Sequence, residues 1–170
     1  MVRKVAITGN IASGKSEVQK ILESKGFKVI DADVIAHEIL EREMPGISRS
    51  ALADIAFTDP QFRKKLEELI HPGVKEQILR LAPQHDVIFV AIPLLFEANM
   101  QDMFDKVVLV YADDKIRLER LLKRSGCTKE HALARMASQM PQDEKIKLSD
   151  FVIYNNGTLE DLRVPDELFS

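Results

Sequence analysis

Gly9-Asn10-Ile11-Ala12-Ser13-Gly14-Lys15-Ser16 fits the spacing G-x-x-x-x-G-K-[ST]. It follows the apolar run Val5-Ala6-Ile7-Thr8 and opens a segment in which Val18, Ile21 and Leu22 recur at helical spacing. Strand, glycine-bounded loop and helix in that order constrain the fold more than any other feature of the chain. Successive backbone N–H groups turn inward in such a loop to form an anion nest, which glycine permits. The loop ends at a helix N-terminus, whose dipole favours phosphate. Lys15 then reaches the β- and γ-phosphates of a nucleoside triphosphate, and the Ser16 hydroxyl is of the type that holds Mg²⁺. The eight residues therefore predict a P-loop and an ATP site.

The alternation continues beyond it. Gly26 stops the first helix, Phe27 to Ile30 reads as a second strand, and Ile35, Ile39 and Leu40 outline a second amphipathic helix. After the break at Met44-Pro45-Gly46 comes a helical block without strands: 50–57, 60–70 and 73–81, with Asp59 as N-cap before Pro60. His71-Pro72 interrupts that block. Val87 to Ile92 reads as a central strand buried on both faces, and Val107 to Tyr111 as another. A charged helix from Asp113 to Arg124, helices at 129–140 and 142–148, and a short strand at 151–153 complete the pattern. The expected fold class is α/β: a P-loop NTPase with a five-stranded parallel sheet flanked by helices, a helical acceptor-binding insertion and a helical lid. The single chain, 1–170, divides into a core (1–33, 84–112 and 150–157), an acceptor-binding region (34–83) and a lid (113–149).

A formal net charge of −3 supplies no broad basic surface, so no nucleic acid is expected as partner, and phosphate must be met by locally placed cations. No stretch approaches ~20 apolar residues and the first apolar run is too short for a signal peptide, so no membrane partner is expected. The lone Cys127 excludes an intramolecular disulfide and fits a reducing cytoplasm. A monomer or small homo-oligomer is expected.

Asp31 and Asp33 fall at the carboxyl end of the second strand, the edge where such sheets bind ligands. Asp33 has two readings: a proton acceptor or metal ligand for an attacking hydroxyl, or the N-cap of the next helix. Two carboxylates two residues apart exceed what capping needs and favour the first; Asp31 orients or caps. Arg117, Arg120 and Arg124 share one helical face, which reads either as a solvated basic face or as a lid that lowers guanidinium groups onto a transferring phosphoryl. Arg124 is the best candidate. Glu97 closes the apolar loop after the central strand, and His71 stands equally as substrate contact or structural turn.

Taken together, Thr8 to Ser16, Asp31-Ala32-Asp33 with Ile35-Ala36, residues 47–57, Leu69-Ile70-His71-Pro72 and Pro93-Leu94-Leu95-Phe96-Glu97 resemble the dephospho-CoA kinase family. Arg120, Arg124, Arg135, Ser138-Gln139 and residues 150–157 extend the resemblance over nearly the whole chain. It implies transfer of the γ-phosphoryl of ATP, with Mg²⁺, to the ribose 3′-hydroxyl of dephospho-coenzyme A. Asp33, Lys15 and Arg124 would be catalytic, and Ser16 and Asp33 would hold the metal. ATP would be bound by residues 9–17, Arg124 and Asn156, and the acceptor by Asp31, Asp33, Arg49, His71, Pro72, Leu95 and Glu97. Asn10 and Ala12 stand where the family usually has glycine, and Glu17 where threonine is frequent, a carboxylate that suits the helix dipole. Met44-Pro45-Gly46 replaces a longer stretch, and the segment after Asn156-Gly157 is short, so an abbreviated final helix is expected. The alternatives are a P-loop kinase for another small hydroxyl or nucleotide acceptor, and a non-catalytic ATP-binding regulatory protein.

Overall fold

The computed structural model describes residues 1–48, 51, 55 and 58–170, and Arg49 with most of 50–57 lies outside them. Five strands, β1 (Arg3–Thr8), β2 (Lys28–Asp31), β3 (Val87–Ala91), β4 (Lys106–Tyr111) and β5 (Phe151–Tyr154), form one parallel sheet in the order β2-β3-β1-β4-β5. The helices are α1 (Lys15–Ser24), α2 (Ala32–Glu43), α3 (Pro60–Leu81), α4 (Asp114–Ser125), α5 (Lys129–Ala137) and α6 (Gln142–Leu148). Among the described residues no helix is long and apolar enough to cross a membrane.

Period-two alternation within β1 and β3 feeds two cores. Ala6, Ile88 and Val90 pack with Ile35 and Ile39 of α2 and Val74 and Ile78 of α3. Val5, Ile7 and Phe89 pack on the opposite face with Val18 and Leu22 of α1 and with Leu162, Val164 and Leu168. Burial on both faces is what makes these strands continuously apolar. The end of the chain supplies two one-turn 3-10 helices, Leu159–Asp161 and Asp166–Leu168, in place of a longer helix. Phe169 stacks on Phe27 beyond them.

Two helix boundaries differ from the sequence expectation. The block expected as two helices broken at His71-Pro72 is one helix of 22 residues, with Pro72 inside it. Asp59 caps it as expected, accepting from the N–H groups of Gln61 and Phe62 at 3.0 and 3.1 Å. Proline removes one helical donor. The helix continues because Val74 and Ile78 are buried against the sheet, and because Gly73 lets α3 settle on α2, where a Cβ would lie 2.9 Å from Ile35 Cγ2. Tertiary packing here outweighs local propensity. The helix expected to reach Met140 stops at Ala137, which frees Gln139 and Met140 to meet the P-loop.

Candidate active site

β1 is central, and the chain leaves it towards opposite sides of the sheet, so its carboxyl end opens the crevice where ligands bind in such folds. The loop 9–14 fills that position. Its carbonyls are held by the protein. Asn10 O accepts from Ser13 N at 3.1 Å, Ile11 O from Arg117 Nε at 3.0 Å, and Ser13 O from Asn155 Nδ2 at 2.9 Å. Arg120 Nη1 lies 3.5 Å from Ala12 O, while its Nη2 donates to Asn155 O at 2.8 Å. Ala12, with φ 62°, and Gly14, with φ 98°, supply the left-handed residues that reverse the loop. With the carbonyls turned away, the N–H groups of Gly14, Lys15 and Ser16 find no acceptor among the described residues, and they open α1. This is an anion cradle at a helix N-terminus.

Lys15 is half-buried, and desolvation lowers its pKa below the ordinary lysine value. The nearby carboxylates of Asp33 and Asp31 oppose that shift, and the guanidinium of Arg124 adds to it. The Asp31–Asp33 pair and Arg124, from two other parts of the sequence, therefore lie close enough to act on Lys15.

The two aspartates divide their roles. Asp31 is the N-cap of α2: its Oδ1 accepts from Asp33 N at 2.8 Å and its Oδ2 from Gln19 Nε2 at 3.3 Å. Both oxygens of Asp31 are thus engaged within the protein, which weakens the expectation that it grips an acceptor. Asp33 sits in the first turn of α2, exposed, and its backbone N–H is the one that Asp31 caps. The exposed Ser16 side chain makes no hydrogen bond among the described residues, and its hydroxyl is a hard oxygen donor of the kind Mg²⁺ takes. Glu17 turns to Lys20 at 3.3 Å.

The arginines do not act as one group. Arg117 is 2% exposed; burial lowers its pKa, opposed by its hydrogen bond and ion pair to Asp114 at 2.9 Å. Arg117 and Arg120 brace the P-loop from behind, so the expected trio over the phosphates reduces to exposed Arg124. Asn156 Oδ1 accepts from Asp113 N at 2.7 Å, tying the start of α4 to the loop after β5.

A cavity of about 370 Å³ opens beside the loop after β3, lined by Arg63, Lys64, Glu67, His71 and Glu97 among others. Burial raises the Glu67 pKa, with Arg63 and His71 opposing and Glu97 reinforcing the shift. His71 and Glu97 both line this cavity. Leu95 does not: it is fully buried in the core beneath β3 and has no surface to offer, which corrects its assignment as an acceptor contact. Pro72 stays on the exposed side of α3, outside the cavity lining. Arg49 lies outside the described residues.

Sequence reasoning missed Asn155 and Lys145. Asn155 lies beside the asparagine that was singled out. Lys145 is a lysine in a charged helix, and no signal in its sequence neighbourhood marks it as buried.

The family model for dephospho-CoA kinase matches residues 3–48 and 42–161, two stretches that overlap at 42–48. A dephospho-CoA kinase of Listeria monocytogenes is 36% identical over 183 residues, 94% of this chain and 92% of its own. A crystal structure of a Thermus thermophilus protein superposes with a TM-score of 0.77 at 38% identity, covering 94% of this chain and 92% of that one. The dephospho-CoA kinase of Campylobacter jejuni gives 0.63 at 33%, covering 95% and 92%.

Proposed function

The chain belongs to the dephospho-CoA kinase family, and from that premise we propose that it transfers the γ-phosphoryl of ATP to the ribose 3′-hydroxyl of dephospho-coenzyme A, forming coenzyme A. The observation that carries the reading is the convergence of Asp33, Lys15 and Arg124 at the P-loop, with Asp31 capping α2 through the Asp33 N–H.

The N–H groups of Gly14, Lys15 and Ser16 bind the phosphates, and Lys15 neutralises the β- and γ-phosphates. The acceptor lies in the cavity of His71 and Glu97 with its hydroxyl towards Asp33. As the hydroxyl oxygen bonds to the γ-phosphorus, the bond to the β,γ-bridging oxygen breaks and ADP leaves with that oxygen. The hydroxyl proton passes to the Asp33 carboxylate. Arg124, planar and permanently charged, stabilises charge on the transferring group. Ser16 and Asp33 are the oxygen donors suited to Mg²⁺, which when bound withdraws charge from the phosphates. With α4 anchored behind the P-loop by Arg117 and Arg120, Arg124 and α5 close over ATP and exclude water, which suppresses futile hydrolysis. The reaction draws on the ATP pool of the cytoplasm, where we place the enzyme.

The test is ATP consumption with Mg²⁺, with and without dephospho-coenzyme A, the product being identified by mass. Acceptor-dependent ADP release with coenzyme A formed supports the reading; ATP turnover indifferent to the acceptor overturns it. Asp33→Asn should lose roughly 10²-fold or more in kcat while keeping ATP affinity, the loss typical of removing a general base.

A further inference from the structure

Lys145 of α6 has no part in the mechanism above, yet its side chain is wholly buried, at 0% exposure. Its ammonium donates to Asn10 Oδ1 at 2.6 Å and to Glu97 Oε2 at 3.2 Å, with Glu97 Oε1 also at 3.2 Å. Met140 N donates to Glu97 Oε2 at 3.3 Å, and Met140 O accepts from Asn10 Nδ2 at 2.9 Å. Asn10, Lys145, Glu97 and Met140 therefore form a closed ring of hydrogen bonds. The ring joins the ATP loop after β1, the loop after β3 and the approach to α6. Glu97 Oε1, although within ion-pair range of the ammonium, accepts no directed hydrogen bond among the described residues, and Glu97 lines the acceptor cavity.

Burying an ammonium costs desolvation that an apolar side chain of the same length would avoid. Packing alone therefore does not account for a lysine here. The cation spans two loops that carry different substrates, and only a charge with several donors holds a carboxylate and an amide oxygen at once.

We propose that Lys145 is a positioning residue of phosphoryl transfer. It fixes Glu97, in the wall of the acceptor cavity, relative to Asn10 of the ATP loop, so that acceptor hydroxyl and γ-phosphate meet in line. This rests on the kinase reading of the site. Asn10 supplies one arm of the ring and Glu97 the other, and the buried Glu97 Oε1 faces the Lys145 ammonium at 3.2 Å.

The experiment compares the wild type with Lys145→Met, Asn10→Gly and Glu97→Gln by steady-state kinetics, equilibrium binding of a fluorescent ATP analogue and thermal melting. Wild type without acceptor-dependent turnover sinks the functional reading and this inference with it; the outcomes below bear on the inference alone. Lys145→Met should lower kcat by about 30-fold or more and raise the acceptor KM, with ATP-analogue affinity within about threefold, because misalignment costs rate more than binding. A merely structural lysine would lower the melting temperature and the folded fraction while leaving kcat per folded enzyme and acceptor KM within about twofold, and that result overturns the proposal. If Lys145→Met does not fold, the double variant Asn10→Gly/Glu97→Gln decides. The two residues share no direct bond among those described, so coupling of about threefold or more in kcat/KM supports linkage across the ring that Lys145 and Met140 close, and additivity overturns it.

Discussion

Gly14→Ala tests whether the P-loop is held by the close approach of Asn155. Gly14 has φ 98°, and a Cβ built there lands inside the contact radius of Asn155 Nδ2. Asn155 has little room to retreat. Its N–H donates to Tyr111 O at 2.7 Å and its carbonyl accepts from Arg120, so the backbone is fixed and only the side chain can swing. Swinging breaks the bond from Nδ2 to Ser13 O and leaves a buried amide without it. The left-handed conformation costs alanine about 1–2 kcal/mol, and the stranded amide about 1–3 kcal/mol. The stiffer unfolded chain returns about 0.4–1 kcal/mol. A net loss of about 1–4.5 kcal/mol lowers Tm by roughly 2–18 °C in a chain of this size. Thermal melting followed by circular dichroism measures it, with ATP-analogue binding alongside, where a disturbed cradle should cost about tenfold or more in affinity. In an Asn155→Ala background the clash is gone, and Gly14→Ala should cost only the conformational part less the unfolded-state return, about 0–1.6 kcal/mol. Equal cost in both backgrounds, or a Tm drop below about 2 °C with unchanged binding, would refute the clash argument.

Ala12 also sits in the left-handed region, at φ 62°. Ala12→Gly should therefore stabilise the protein by about 0.5–1 kcal/mol after glycine's greater unfolded-state entropy is counted, visible as a Tm rise of about 1–4 °C. Lys15 bears on pH. Its pKa in the folded protein lies below 10.5, so its burden on stability is present below that lowered value and is relieved as pH rises towards 10.5. Phosphate restores the charged form, so ATP binding should take up protons as pH nears the lowered value, and affinity should fall from there towards pH 10.5. Calorimetry in buffers of different ionisation enthalpy reads this directly; affinity that rises across that window would contradict the sign.

Much of the fold was legible because its determinants are local. Glycine at 9 and 14 with Lys15 and Ser16 between apolar strand and amphipathic helix announces the cradle, and continuous apolar runs announce strands buried on both faces. Asp59 before Pro60 marks a helix start that the structure has at the same residue. The break expected at Pro72 failed because local propensity is a small quantity beside the burial of Val74 and Ile78. Leu95 looked like a site residue because it neighbours Glu97 in sequence, whereas one residue's rotation along the chain decides between core and cavity.

The sequence by itself marked the loop at the end of β1 as one built to cradle phosphate, and set a carboxylate pair at the carboxyl end of β2. Only the tertiary structure decided which aspartate caps and which stays exposed, which arginines brace the loop, and that Lys145 reaches Asn10 from 135 positions away. The physical reason is range. Turn geometry and apolar periodicity act over a few residues and leave their mark in the sequence. A buried cation's partners are set by how distant segments pack, and nothing in its own neighbourhood names them.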